Sequence, residues 1–344
     1  MSQKTWSATQ IINLLQSTKS KSTLTREEKK GNIPKASRVK KGKTEYRFWE
    51  TSEIPSIGQA IGSLKKPNKN LIISIYCPKG GVLKTTLAFN LSRMLALNGI
   101  TVCVIGLDVT KSITKNLNNN RKNLSNTIAP KNISEIKNED FGLYEASLGQ
   151  KNGGCKIEET LKETDLPTLF YIPESSNLNR LEQKIREENK REHALLRLIK
   201  PILKNFDVFI FDNSPSWNFL IQNSLTMATD VICPIACEAE CYGSIIENIQ
   251  MINDFKVNME LNWNNFVLVP TKVDNRTSLS KEIEAKYRIN FSSLITTGSI
   301  STAIQGQESS LDKVSVIEDN YKTKLANDYF LVVSEIWERL NLNQ

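Results

Sequence analysis

Apolar and polar positions along this chain change rhythm several times, and each change predicts an element. Leu71 to Cys77 is a continuous apolar run, rich in β-branched and aromatic residues and bounded by Pro78 and Gly80. Such a run predicts a strand buried on both faces of a parallel sheet. Leu87, Leu91, Met94 and Leu95 then recur at helical spacing. Short apolar runs return at Thr101–Leu107, Leu169–Pro173, Asp207–Asp212, Asp230–Ile235 and Phe266–Val269. Between and after them the spacing predicts helical pieces around Tyr144 and Leu161, and a long charged helix from about Leu178 to Leu203. A last helix is expected from about Asp319 to Leu340, carrying Leu325, Val332, Val333, Ile336 and Trp337. Residues 111–140 are rich in Asn and Lys with few apolar groups, and predict a loop or insertion. Strands alternating with helices imply an α/β fold with a mainly parallel sheet flanked by helices.

Before Leu71 the pattern is of another kind. Ser7-Ala8-Thr9-Gln10 is a capping box, and Ile11, Ile12, Leu14 and Leu15 follow at helical spacing. A second short helix, about Leu24 to Lys30, ends at Gly31, a residue suited to a C-cap. Arg38 to Trp49 alternates basic and apolar residues around Lys41-Gly42 and predicts a β-hairpin, with a third helix from about Ser56 to Leu64. This order resembles the MerR-like winged-helix domain, a small helical winged helix-turn-helix unit. The resemblance implies that the second helix, with Arg26, Lys29 and Lys30, enters a major groove. The hairpin, with Lys40, Lys41, Lys43 and Arg47, would hold phosphates. The alternative is a solvated basic arm. Trp6, Tyr46, Phe48 and Trp49 count against it, because disordered tails are poor in aromatics. Lys65 to Asn70 reads as a linker, so two units are expected: residues 1–69 and 70–344.

Charge sharpens that division. Residues 1–70 hold 15 Lys and Arg against 5 Asp and Glu, a net +10, while the rest of the chain carries −2 of the total +8. Such a split fits a nucleic-acid-binding module joined to a near-neutral domain. The first 20 residues hold no apolar block of signal length, and no stretch approaches the length of a membrane span. Six Cys without CxxC spacing lie in or beside apolar strands and predict buried thiols. His193 is the only histidine, which nearly excludes Ser-His and Cys-His catalysis and makes a metal-ligand cluster improbable.

The chemistry gathers after the first long strand, at Lys79-Gly80-Gly81-Val82-Leu83-Lys84-Thr85-Thr86. Strand, Gly-bearing loop and helix N-terminus make an anion site, with backbone N–H groups and the helix dipole turned to the ligand. Lys84 would neutralise the β- and γ-phosphates of a nucleotide, and the Thr85 hydroxyl would ligate Mg²⁺. The pattern G-x-x-x-x-G-K-S/T is not met, since Pro78 and Leu83 stand where it has glycine. A Cβ at position 83 disfavours positive φ, so the loop is expected to keep a negative φ there. Asp212 closes an apolar strand, where a carboxylate can hold a metal-bound water near the loop.

KGGxxKT, with its extra Lys79, resembles the deviant Walker motif of the ParA/MinD superfamily of ATPases. The resemblance covers about residues 70 to 340 and extends to VFIFD-NSPS around Asp212. It implies that Lys79 reaches the nucleotide of a second subunit across an ATP sandwich dimer. It also implies that Asp108, which closes Val104-Ile105-Gly106-Leu107-Asp108, orients the hydrolytic water; the superfamily has D-x-D-P-Q there, and its first Asp is Gly106 here. Asp108 as a helix N-cap is the alternative. Thr271, Lys272 and Asp274, in Pro270 to Thr277, match the segment beside the adenine base, although a polar turn would look the same. Within the superfamily the N-terminal unit points to plasmid or phage partition ATPases of the SopA-like branch. The MinD branch anchors itself by a C-terminal basic amphipathic helix, and Glu335 to Leu340 has too few cations for one. The resemblance thus implies a cytoplasmic, nucleoid-associated ATPase using ATP and Mg²⁺. Its expected partners are DNA gripped without sequence preference, an operator as a second DNA target, and a centromere-binding protein of the ParB type. The alternative is a DNA-binding regulator whose nucleotide site only switches shape.

Overall fold

The N-terminal capping box forms as its residues require. In the computed structural model, which describes residues 4–41, 44–118, 141–302 and 314–342, strand β1 (Thr5–Ser7) runs into helix α1 (Ala8–Leu14). Ser7 is the N-cap, and its N–H donates to the Gln10 side chain at 2.9 Å. Helix α2 (Lys21–Lys30) ends on Gly31 at φ 76°, and Asn32 N–H turns back to Glu27 O at 3.0 Å. Strands β2 (Ser37–Lys41) and β3 (Thr44–Glu50) pair antiparallel, and β1 adds to the far edge of β3. Helix α3 (Ile54–Ile61) begins slightly ahead of its expected start, with Pro55 in its first turn, where a missing N–H costs nothing.

The rest of the chain runs β4 (Leu71–Ile75), α4 (Lys84–Leu97), β5 (Val102–Leu107), α5 (Ser112–Leu117), α6 (Leu143–Leu148), β6 (Lys162–Glu163), β7 (Leu169–Ile172) and α7 (Leu178–Arg186). It continues α8 (Ala194–Ile199), β8 (Val208–Asn213), α9 (Phe219–Met227), β9 (Asp230–Ala236), α10 (Ala239–Asn258), β10 (Asn265–Thr271), α11 (Ser278–Asn290), α12 (Val316–Asn320) and α13 (Lys324–Leu342). The strand order is β10-β9-β4-β8-β5-β7-β6, parallel throughout except for the two-residue β6 at the edge. The mainly parallel sheet flanked by helices is therefore present, with β8 at its centre and β4 beside it.

Three elements differ from their expected form. The helix expected over Leu178–Leu203 is broken after Arg186, and Lys190 turns left-handed at φ 51° before α8. Glu187-Glu188-Asn189-Lys190 offers no apolar side chain to hold a continuing helix on the sheet, and Pro201 sits in the 3-10 turn that follows α8. The last helix is interrupted between α12 and α13. The expected loop at 111–140 opens with α5, and its residues 119–140 lie outside the described residues.

Residues 65–70 are pinned rather than loose. Lys65 O accepts from Trp337 Nε1 at 2.9 Å, Lys66 pairs with Asp207 at 2.9 Å, and Asn70 donates to Phe206 O at 2.6 Å. A Cβ on Gly58 would lie 2.0 Å from Leu97 O, so α3 crosses the end of α4 backbone to backbone. Trp6, Leu24, Trp49 and Ile54 join Leu91 and Leu95 of α4 in one apolar core.

Candidate nucleotide site

Parallel strands deliver their C-terminal ends to one edge of the sheet, where ligands of open α/β sheets bind. Asp212, near the end of β8, stands in register with Ile75 on one side and Gly106 on the other. Just past strand ends lie Tyr76, Glu174 and Ser214. Tyr76 Oη, Glu174 Oε1, Ser214 Oγ and both oxygens of Asp212 are buried without a hydrogen-bond partner. Buried polar atoms are nearly always partnered, so orphans gathered along one sheet edge mark a place for a ligand.

The loop between β4 and α4 arrives at this edge. Gly81 is left-handed at φ 74°, and a Cβ on Gly80 would meet nothing within 4 Å. Leu83 corrects the expectation of negative φ: it is left-handed, at φ 69° and ψ 27°. It is the residue before the first turn of α4, and its carbonyl accepts the helix bond from Leu87 N–H at 2.9 Å. The chain enters the helix there with positive φ although the residue carries a Cβ. A residue with a Cβ bears a cost of about 1–2 kcal/mol there, and Leu83 offsets part of it by packing on the core.

Lys84 is 6% exposed, and its Nζ donates to Lys79 O at 2.8 Å, so the loop closes on its own lysine. Desolvation pulls the ammonium below its ordinary range, while the negative charges of Asp212 and Asp108 oppose this. Asp212 is fully buried and pushed up to about 7, chiefly by burial; Thr85 and Lys84 beside it pull the other way. Thr85 comes near it without hydrogen bonding, since both carboxylate oxygens remain orphaned. Thr86 and Val82 complete the loop, Thr86 accepting from Asn90 through its carbonyl and Val82 buried. Lys79 is half-buried, and its side chain makes no ion pair among the described residues.

The structure brings the other candidates to the same edge in different degrees. Asp108 is half-buried and accepts from Thr110 N–H at 2.9 Å; the N-cap of α5 is Lys111, so Asp108 is not a helix cap. Thr271 donates its hydroxyl to Val82 O at 3.1 Å, clamping the loop to β10. Lys272, left-handed at φ 54°, pairs with Glu238 at 3.1 Å, and its Nζ is 3.9 Å from a Cβ built on Gly81. Asp274 faces outward: Arg276 binds both of its oxygens and holds it down to about 2. A buried carboxylate with no partner, a buried ammonium and a threonine hydroxyl are the oxygen and charge set that a magnesium triphosphate needs, so the residues fit that group. Among the described residues no three acidic, His or Cys side chains converge as direct metal ligands.

Glu174 was missed by sequence reasoning. The available signal was an acid directly after the apolar strand Leu169–Pro173. In the N-terminal unit Arg26, Lys29, Lys30 and Lys40 are exposed. The Lys41 side chain and the whole of Lys43 lie outside what is described. Arg47 is held by Glu28 at 2.9 Å and Thr25 at 2.8 Å, so it ties the hairpin to α2. All six cysteines are free and buried. Among the described residues no helix is long and apolar enough to cross a membrane.

The sequence model of the AAA domain family AAA_31 matches residues 70–263. The chromosome partitioning protein ParA of Myxococcus xanthus is 27% identical over 219 residues, covering 63% of this chain and 70% of that protein. A plasmid partition protein of Borrelia burgdorferi bound to AMPPNP is similar in structure, with a TM-score of 0.59 at 22% identity, covering 79% of this chain and 98% of that one. Cobyrinic acid a,c-diamide synthase of Mycobacterium smegmatis, solved with an ATP analogue and magnesium, gives a TM-score of 0.62 at 23% identity, covering 80% and 97%. These likenesses show the P-loop fold of partition-type ATPases.

Proposed function

From the premise that this chain belongs to the AAA domain family AAA_31, we propose that it is a DNA-segregation ATPase. The observation that carries the reading is Asp212, wholly buried with both oxygens orphaned at the end of β8, next to buried Lys84 at the head of α4. Lys84 leaves Lys79 O and neutralises the β- and γ-phosphates, while the amides of residues 80–86 cradle them. Magnesium, when bound, spreads the negative charge that develops on the transferred phosphoryl oxygens. Thr85 and Asp212 would hold that ion, Asp212 by way of a water. Asp108 orients the attacking water, and Lys79 reaches the nucleotide of a second copy when two chains close around two ATP molecules. Thr271 steadies the loop from the end of β10, and Lys272, just beyond it, would contact the base or ribose. The relatives named for chromosome and plasmid partitioning support DNA as the target, and the ParA/MinD resemblance adds a ParB-type protein as the stimulating partner. Arg26, Lys29, Lys30 and Lys40 form the exposed basic surface that would meet DNA phosphates.

The test is ATP turnover by the full chain with and without DNA and the product of the adjacent reading frame. Turnover that rises with both, and disappears in Lys84→Ala, is expected. No turnover under any of these conditions would sink the reading. A second reading, a nucleotide-switched regulator without significant hydrolysis, is favoured by the direct packing of α3 on the end of α4, which joins the basic unit to the phosphate-loop helix. Under it, Asp108→Ala leaves ATP-dependent DNA binding intact with no hydrolysis to lose.

A further inference from the structure

We propose that Glu174 supplies the site's third carboxylate, filling the space left by the absent side chain at Gly106, and that its free oxygen takes a water of the hydrated divalent cation accompanying the triphosphate. The inference rests on the ATPase reading above and deepens it.

Glu174 follows β7 and is 2% exposed. A Cβ built on Gly106 would lie 2.2 Å from Glu174 Cγ, 2.5 Å from Cδ and 2.6 Å from Oε1. The carboxyl group of Glu174 therefore occupies the volume into which a side chain at position 106 would grow. Gly106 is itself in register with Asp212 on the neighbouring strand. Position 106 is also where the D-x-D-P-Q pattern has its first acid, and this chain has none. The two departures, no side chain on β5 and an acid after β7, put one carboxylate back at the same end of the same strands.

The two oxygens of Glu174 are in different situations. Oε2 accepts from Thr114 N–H at 3.2 Å, and Glu174 N–H donates to Thr114 Oγ1 at 2.8 Å. That pair of bonds stitches the end of β7 to α5, the helix that follows Asp108. Oε1 is buried and has no partner. A purely structural acid explains Oε2 and leaves Oε1 unexplained, because an orphaned buried acceptor carries a full desolvation penalty. Asp212 and Asp108 both act on Glu174 by charge repulsion, so the three acids share one neighbourhood. Asp212 and Asp108 also act on buried Lys84, so a divalent cation bound among these carboxyl groups would favour their ionised forms and relieve their mutual repulsion. Among the described residues they form no three-ligand cluster, and Mg²⁺ keeps several of its waters when bound, so the contact is assigned to one of those waters.

The experiment titrates Mg²⁺ into the full chain with a fluorescent ATP analogue and reads the Mg²⁺ midpoint for tight nucleotide binding. Glu174→Gln keeps the shape and the Thr114 bond but removes the charge. Its midpoint is expected to rise about tenfold, the usual scale for losing an outer-shell partner, while affinity in chelator does not weaken. Gly106→Asp with Glu174→Ala returns an acid to β5 in the vacated volume and is expected to recover most of the shift. Melting curves identify which variants are folded. A wild-type midpoint that responds to Mg²⁺ and is unchanged in Glu174→Gln overturns this assignment alone. A folded double variant that keeps the Glu174→Gln midpoint overturns the exchange with position 106. A wild-type chain that binds no nucleotide at any Mg²⁺ concentration overturns the ATPase reading and this assignment with it.

Discussion

At the C-terminal edge of the large sheet Lys84, Asp212 and Glu174 are 6%, 0% and 2% exposed, whereas Arg26, Lys30 and Arg38 of the N-terminal unit keep 64%, 56% and 54% of their side-chain surface in water. The first set has orphaned atoms, while in the second set Arg26 and Lys30 share Glu27 and Arg38 meets Glu45. Buried charges are costly unless something of matching shape arrives, so their positions specify a ligand. Exposed charges cost little and act through water over about a Debye length, so their number matters more than their placement. One region should therefore answer to single substitutions and the other to counted charge.

The sharpest way to break that contrast is to remove one charge from each side. Lys84→Ala strips the phosphate clamp and leaves Asp212 without its neighbouring cation. Hydrogen bonds to charged groups are worth about 1.5–3 kcal/mol, so ATP affinity in calorimetry should fall by about tenfold to a hundredfold. Lys30→Ala should leave ATP affinity unchanged. Equal effects would erase the distinction.

Next in size is the pH dependence of the nucleotide-free, Mg²⁺-free protein. Burial pushes Glu174 up to about 8 from an ordinary 4.5, and Asp212 up to about 7 from 3.8. Thr114, Asp212 and Asp108 act on Glu174; Thr85, Lys84 and Asp108 act on Asp212. Between the unfolded and folded values the folded chain binds more protons than the unfolded one. Stability from these groups is thus full below about pH 4 and is lost as pH rises through about 7 and 8, by a few kcal/mol. Melting temperature should fall over that range in the wild type and flatten in Glu174→Gln. Carboxylates held by surface cations, such as Asp274 with Arg276, would give the opposite slope at much lower pH. A melting temperature that does not fall toward pH 8 would remove the claim that the site is strained by its own charge.

The two regions were also unequally legible. Lys84, Thr85 and Asp212 could be placed from sequence because each terminates or begins an element whose apolar rhythm is unmistakable, and parallel strands bring such ends together. Glu174 could not, because its role depends on a missing side chain on β5, which is two strands from β4 in the sheet and 68 residues earlier in the chain. The break after Arg186 was hidden because charged residues on an exposed face look alike in a helix and in a turn. Ser7 and Gly31 marked their helix ends correctly, since capping is a matter of three or four neighbouring residues. The docking of α3 on α4 left only scattered glycines as a local trace, Gly58 and Gly62 on one side and Gly99 on the other.

That docking changes how the basic unit should be tested. Deleting residues 1–69 would uncover the end of α4, so a change in DNA binding after deletion would mix lost charge with lost packing. Lys29→Ala with Lys30→Ala removes charge alone. If both meet phosphates, the slope of log affinity against log salt should fall by about 0.9 for each contact, with ATP affinity unmoved. An unchanged slope would take α2 off the DNA surface and leave the hairpin as the candidate.

The smallest expected effect concerns geometry rather than charge. Leu83 holds a left-handed backbone directly before Lys84. Leu83→Gly removes a backbone cost of about 1–2 kcal/mol, but it also frees the unfolded chain by about 0.5–1 kcal/mol and loses a side chain packed on the core. The terms nearly cancel, and denaturant midpoints should shift by less than about 1 kcal/mol equivalent. Leu83→Val carries a β-branched residue into the same conformation and loses packing too, with nothing to offset either, so it should be the less stable of the two. A Leu83→Val chain as stable as the wild type would mean that the loop does not need positive φ at this position. The left-handed entry into α4 would then be an accident of packing, and the placing of Lys84 would have to be explained by the Thr271 clamp on Val82 alone.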